Sequence, residues 1–116
     1  MLTLPIKRKW FEMILSGEKK EEYREIKPYY EVRFQNLFGV VLLERNGTIK
    51  EILRGVLPKS IQRDEVQEII FRLGYAKEAR KIKCKCTLSL GTGKEEWGAV
   101  PEERYFVLRI KEVEEI

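Results

Sequence analysis

Between residues 81 and 90 the chain alternates without interruption. Ile82, Cys84, Cys86, Leu88 and Leu90 occupy one set of positions, and Lys81, Lys83, Lys85, Thr87 and Ser89 the other. A period of two sends alternate side chains to opposite faces of a strand, so this segment is half buried, with a basic outer face. No other stretch restricts the fold as much, because a strand of this kind needs paired neighbours and a covered inner face. The segment "RYFVLRI" supplies a second strand, with Phe106, Leu108 and Ile110 on one side and Tyr105, Val107 and Arg109 on the other. "GTGKEEWGAVPEE" between them reads as a turn-rich loop.

Toward the N-terminus the period changes. Leu2, Leu4 and Ile6 alternate, and Pro5 places that short strand at a sheet edge or strand end. Trp10, Phe11, Ile14 and Leu15 then recur at helical spacing, which predicts an amphipathic helix over about 7–16, stopped by Gly17. "SGEKKEEYRE" follows as a strand. Period two puts Lys20, Glu22, Arg24 and Ile26 on one face, opposite Glu21, Tyr23 and Glu25. Pro28 suits the first turn of a second helix, whose apolar face is Tyr30, Phe34, Leu37 and Phe38 and which Gly39 ends. In residues 40–65 an Asn46-Gly47 hairpin competes with a helix through "TIKEILRGVL". Over 66–73, Val66, Ile69, Ile70 and Leu73 lean helical, although "EIIFR" is acceptable as a buried strand. Short strands mixed with two or three helices in 116 residues argue a single α+β domain, its sheet curled into a small barrel.

Composition removes several chemistries. The chain has no His, which excludes Ser-His and Cys-His dyads and His-ligated metals. Its only cysteines, Cys84 and Cys86, share a strand face, a poor geometry for a bond between them. They read as small buried apolar residues. Nothing implies a metal or a cofactor. The longest apolar runs are far short of the roughly 20 residues of a membrane span. "MLTLPIKRKW" lacks the parts of a secretory signal, so the expectation is a cytoplasmic protein without a membrane partner. Charged residues make up 36%, dominated by Lys and Glu, a composition that suits a thermophile. Of the net charge of +4, all lies in residues 1–60, where 12 Lys or Arg face 8 acidic residues. That asymmetry favours a polyanionic partner, although it is too small for binding through phosphates alone.

Among local motifs, Gly91-Thr92-Gly93-Lys94 resembles part of a phosphate loop but lacks its spacing and its following helix. The stripe Arg80, Lys81, Lys83, Lys85 either tracks a phosphate backbone or is a solvated strand face. Trp97, in a Gly-flanked charged loop, either stacks on a base or closes one end of a barrel. Glu22 and Arg24, two apart on one face, pair with each other in the simplest reading.

Taken in order, Gly17-x-Lys19-x-x-Glu22-x-Arg24 after an amphipathic helix, then "KPYYEVRF", "IIFRLGY" and "LSLGTGKEEWGAVPEERYFVLRI", resemble the ASCH domain of the PUA-like superfamily. The likeness covers about 1–38 and 66–112, leaving 39–65 as a divergent or inserted region. The "GTGKEEWGA" block is similar to that of a bacterial, phage and archaeal branch. The resemblance implies a small β-barrel with flanking helices and a cleft beside the first helix, lined by the signature residues. It also implies a strand over 67–72.

That family is regarded as RNA-binding or RNA-processing. Some members hydrolyse an acyl group from N4-acetylcytidine with a catalytic Lys at the position of Lys19 and a Thr nucleophile three residues later. Here that later position is Glu22, and a carboxylate cannot replace a hydroxyl nucleophile without a change of mechanism. The first expectation is therefore a module that binds single-stranded RNA or a modified nucleotide. Glu22 and Arg24 would pair, leaving Lys19 free, provided Lys19 lies in the turn after Gly17. Lys19 and Arg24 would meet phosphate or base oxygen, Glu22 an exocyclic amine, and Tyr29 and Trp97 would stack on a base. The alternative is a hydrolase acting on an N4-acylated cytidine or on RNA, with Lys19 and Glu22 as its catalytic candidates. A second alternative is a protein-interaction module that uses 39–65.

Overall fold

A computed structural model of the chain describes residues 2–38 and 66–116. The two competing readings of 40–65, the Gly39 helix stop and the interaction surface expected in 39–65 all lie outside the described residues. Within the described residues five strands and two helices make a mixed α+β arrangement: β1 (Leu2–Pro5), α1 (Arg8–Leu15), β2 (Glu21–Glu25), α2 (Pro28–Phe38), β3 (Gln67–Arg72), β4 (Lys81–Gly91) and β5 (Tyr105–Glu115). The strands form one sheet in the order β1-β3-β4-β5-β2. β1 runs parallel to β3, and every other pairing is antiparallel.

The alternating segment of 81–90 is central in this sheet. Ile82, Cys84, Cys86 and Leu88 of β4 are buried, and they pack with Leu4, Ile69, Phe71, Phe106 and Leu108 of three other strands. α1 contributes Phe11 and Ile14 to this core, and α2 contributes Phe34 and Phe38. Phe34 stacks on Tyr30 at 5.7 Å and meets Phe106 edge-on at 5.1 Å, which ties α2 to the sheet. Residues 67–72 are a strand, against the helical lean of their periodicity. Ile69 and Phe71 alternate inward while Val66 stays exposed, and this strand bridges β1 and β4. Neighbouring strands have overridden local pattern.

The basic stripe resolves as a solvated face. Arg80 pairs with Glu12 and Glu115, Lys83 with Glu68 and Glu114, and Lys85 with Glu112. Most of these carboxylates come from β5, whose register sets them opposite the lysines. That register shifts between Lys85 and Cys86, so that Lys111 is the extra, unpaired residue of a β-bulge.

Among the described residues β1 and β2 are the two edges of the sheet, yet Nη2 of Arg24 in β2 donates to the Pro5 carbonyl of β1 at 2.9 Å. The sheet is thus curled into a half-barrel whose seam is spanned by one guanidinium rather than a backbone ladder. Pro5 suits such an edge, where its missing N–H leaves no ladder partner wanting. Among the described residues no helix is long and apolar enough to cross a membrane.

Candidate functional site

The site is built by the turn that ends α1. Gly17 takes a φ of +87°, the left-handed geometry that stops a helix. The chain then doubles back until the Lys19 N–H donates to the Met13 carbonyl at 2.9 Å. Lys19 therefore precedes β2, which begins at Glu21, and does not follow the strand's alternation. Its ammonium reaches the same side as Glu22, with Nζ 3.2 Å from Oε1.

Glu22 joins two cations. Its Oε2 accepts from Nε and Nη2 of Arg24 at 3.1 and 2.7 Å, while Oε1 faces Lys19. Arg24 also donates from Nη1 to the Tyr30 hydroxyl at 3.1 Å and from Nη2 to Pro5. A guanidinium carries five N–H groups, so one Nη1 hydrogen is unengaged among the described residues.

Lys19 is not free for a ligand. It is 1% exposed, and Nζ donates to the Trp97 carbonyl at 2.6 Å, with the rings of Trp10 and Tyr23 at 5.0 and 4.8 Å. Burial pulls its pKa below the ordinary 10.5, against the attraction of Glu22, which holds the proton on. Two cations thus share one carboxylate in a largely dry setting, an arrangement stable only while that carboxylate is present.

In front of this cluster lies a cleft of about 750 Å³, a usual size for a small-molecule site. Glu22 and Arg24 line it, with aromatic side chains from four places: Trp10 of α1, Tyr30 of α2, Tyr75 of the β3–β4 loop, and Tyr23 and Tyr105 of the paired strands β2 and β5. Tyr75 stands 83% exposed at its rim. Lys7, Glu25 and Glu103 complete the charged lining, so that acidic side chains outnumber basic ones. Gly98 forms part of the wall. Its φ of +101° excludes most other residues, and a Cβ there would stand 2.9 Å from the Trp10 ring.

The structure brings Lys19, Glu22 and Arg24 together, the last two at the cleft and Lys19 behind it. Tyr29 is 46% exposed on α2, with the Arg33 guanidinium 3.5 Å over its ring. It does not line the cleft, whereas its neighbour Tyr30 does. Trp97 supplies a backbone carbonyl to the cluster, but its ring lies in a separate groove beside Lys94. Periodicity marked Trp10 and Tyr30 as apolar helix positions, and their role at the cleft mouth follows only from where the sheet curls. Cys84 and Cys86 are buried and unbonded, and burial raises both thiol pKa values, that of Cys84 to about 12. Among the described residues no group of three or more His, Cys, Asp or Glu is placed to hold a metal.

Comparison with known proteins finds no matching family model, no similar curated protein and no similar solved structure.

Proposed function

We propose that this chain is a PUA-like, ASCH-type recognition module whose cleft receives a nucleobase, either in single-stranded RNA or as a modified nucleoside. One observation carries the reading: aromatic residues of two helices, two strands and one loop line a cleft together with a carboxylate beside a guanidinium. Rings stack on a planar base whatever its identity. Oε1 of Glu22, which faces only Lys19, keeps a lone pair suited to an exocyclic amine, and the unengaged Nη1 hydrogen of Arg24 suits a ring nitrogen or carbonyl. With Lys19 behind Glu22 the charges at the cleft balance, which favours the uncharged base over its phosphate at this point. Lys19 acts as a support for Glu22 rather than as a ligand contact. The hydrolase alternative would require Lys19 to reach a substrate, and its ammonium is engaged by Glu22 and the Trp97 carbonyl.

The test is a titration with cytidine, N4-acetylcytidine, adenosine and short single-stranded RNAs, for wild type and Tyr75→Ala, with each mixture analysed afterwards for product. Tyr75 is so exposed that its loss leaves the fold intact, while loss of one stacking ring lowers affinity by about fivefold or more. Binding unchanged in Tyr75→Ala, or no binding by any of these ligands, would overturn the reading. Turnover of N4-acetylcytidine would move the assignment to the hydrolase.

A further inference from the structure

On the other side of the 3-10 turn Glu95–Trp97 lies a second depression, of about 510 Å³. Where Gly98 faces the cleft, Trp97 faces this groove. Its charged side chains are Lys20, Lys94, Arg109 and Lys111 against the single carboxylate of Glu21. Glu21 is engaged by Arg109 at 3.1 Å and by the Tyr23 hydroxyl at 2.8 Å. Among the described residues, Lys20, Lys94 and Lys111 have no carboxylate within 4.0 Å.

This distinguishes the groove from most of the basic stripe at β4, where among the described residues only Lys81 lacks such a partner. On the β4 stripe, glutamates neutralise Arg80, Lys83 and Lys85. In the groove, lysines from the α1–β2 turn, the β4–β5 loop and the β5 bulge converge without such neutralisation. The bulge that leaves Lys111 unpaired in the ladder is a device that re-aims a side chain. The Trp97 ring is half-buried beside them, with the Lys94 ammonium 4.5 Å from its centre. Cations that track a backbone beside a ring that stacks on a base are the two parts of a single-strand binding surface.

We infer that this groove holds the phosphodiester backbone of a single-stranded nucleic acid, with Trp97 stacked on one base, while a second base occupies the cleft. The inference rests on the nucleobase reading of the cleft and adds what the cleft lacks, a place for phosphate. Tyr23 joins the two sites, since its hydroxyl accepts from the Lys94 backbone N–H at 3.0 Å and the residue is also part of the cleft lining.

The test measures anisotropy of a labelled single-stranded RNA decamer over a salt series, beside titrations with a free nucleoside and a poly-glutamate peptide. Three phosphates met by three unpaired lysines give a slope of about −2 in log K against log salt, or about 20-fold weaker binding between about 50 and about 200 mM. Lys94→Gln with Lys111→Gln reduces that loss to about threefold. Trp97→Leu weakens the decamer about fivefold or more while leaving the slope unchanged. A nucleoside that binds while the decamer binds no more tightly, or with a slope indifferent to the two lysines, overturns the groove and leaves the cleft reading standing. A decamer held by the lysines without any nucleoside binding upholds the groove and removes the cleft reading. Poly-glutamate bound as tightly as RNA, with the same lysine dependence, replaces nucleic acid by an acidic protein segment and overturns the inference.

Discussion

Replacing Glu22 by Gln keeps the side chain's shape and removes one charge, and the consequence should depend on pH in a way that identifies the cause. At 3.2 Å from Lys19, with an effective dielectric of about 20, the Coulomb attraction is about 5 kcal/mol, and that to Arg24 is of similar size. Desolvation of the carboxylate offsets much of this in the wild type. In the variant, however, two nearly buried cations face each other without a counter-charge, which costs about 3–5 kcal/mol. For a domain of this size that is a fall in Tm of about 10–20 °C.

The pH dependence carries the sign. Lys19 already titrates below its ordinary 10.5 because burial outweighs Glu22, and loss of Glu22 removes its chief support and lowers it further. Between the folded pKa and 10.5 the unfolded chain binds more protons than the folded one, so stability rises with pH across that window. Glu22→Gln widens the window downward. Its deficit should be largest near neutrality and shrink toward pH 10, as Lys19 gives up its proton in the folded state. Urea denaturation from pH 6 to pH 10, followed by circular dichroism, measures this. Adding Lys19→Met to Glu22→Gln should recover about 2 kcal/mol at pH 7, because the uncompensated charge is gone while the Trp97 carbonyl loses one donor. A deficit flat across that range, with no rescue by Lys19→Met, would refute the idea that Glu22 acts by neutralising Lys19.

Two further outcomes follow from the geometry. Gly98→Ala should destabilise by about 2 kcal/mol in thermal unfolding, since a Cβ at φ +101° is strained and meets Trp10 at 2.9 Å. The displaced Trp10 ring should also weaken ligand binding in the cleft. Cys84 and Cys86 should resist alkylation by iodoacetamide at pH 8 in the folded protein and react fully in urea, since burial raises both thiol pKa values. Reaction at the rate of a free thiol without denaturant would mean that the inner face of β4 opens.

What could be read in the sequence is what depends on near neighbours. The period of two over 81–90, the helical stripe of Trp10, Phe11, Ile14 and Leu15, and the stop at Gly17 each follow from a few consecutive residues, and the backbone adopts all three. The placing of Lys19 in the turn is a condition that spacing leaves open, and the hydrogen bond from its N–H to the Met13 carbonyl meets it. The rest depends on partners distant in the chain. Whether Arg80, Lys83 and Lys85 are solvated or bind phosphate is decided by Glu115, Glu114 and Glu112, whose register no local pattern displays. That Lys19 lies behind the cleft is decided by the Trp97 carbonyl, 78 residues away. Tyr29 and Tyr30 are adjacent in sequence, and only the rotation of α2 against Phe106 selects the second for the cleft.

The dense mixture of charges after α1 then has a physical account. Among the described residues β1 and β2 are the free edges of a sheet curled to a half-barrel, and a side chain joins them, since Arg24 donates across the seam to Pro5. A guanidinium so placed loses water and needs a carboxylate, which Glu22 supplies. Glu22 in turn is fixed by Lys19, whose geometry is set by the stop at Gly17. One set of residues therefore closes the fold and presents a carboxylate beside a guanidinium at the cleft floor. Substitutions there should move stability and binding together, whereas Tyr75→Ala at the rim should move binding alone. That contrast separates a ligand contact from a structural pair, and it makes the rim the better place to begin.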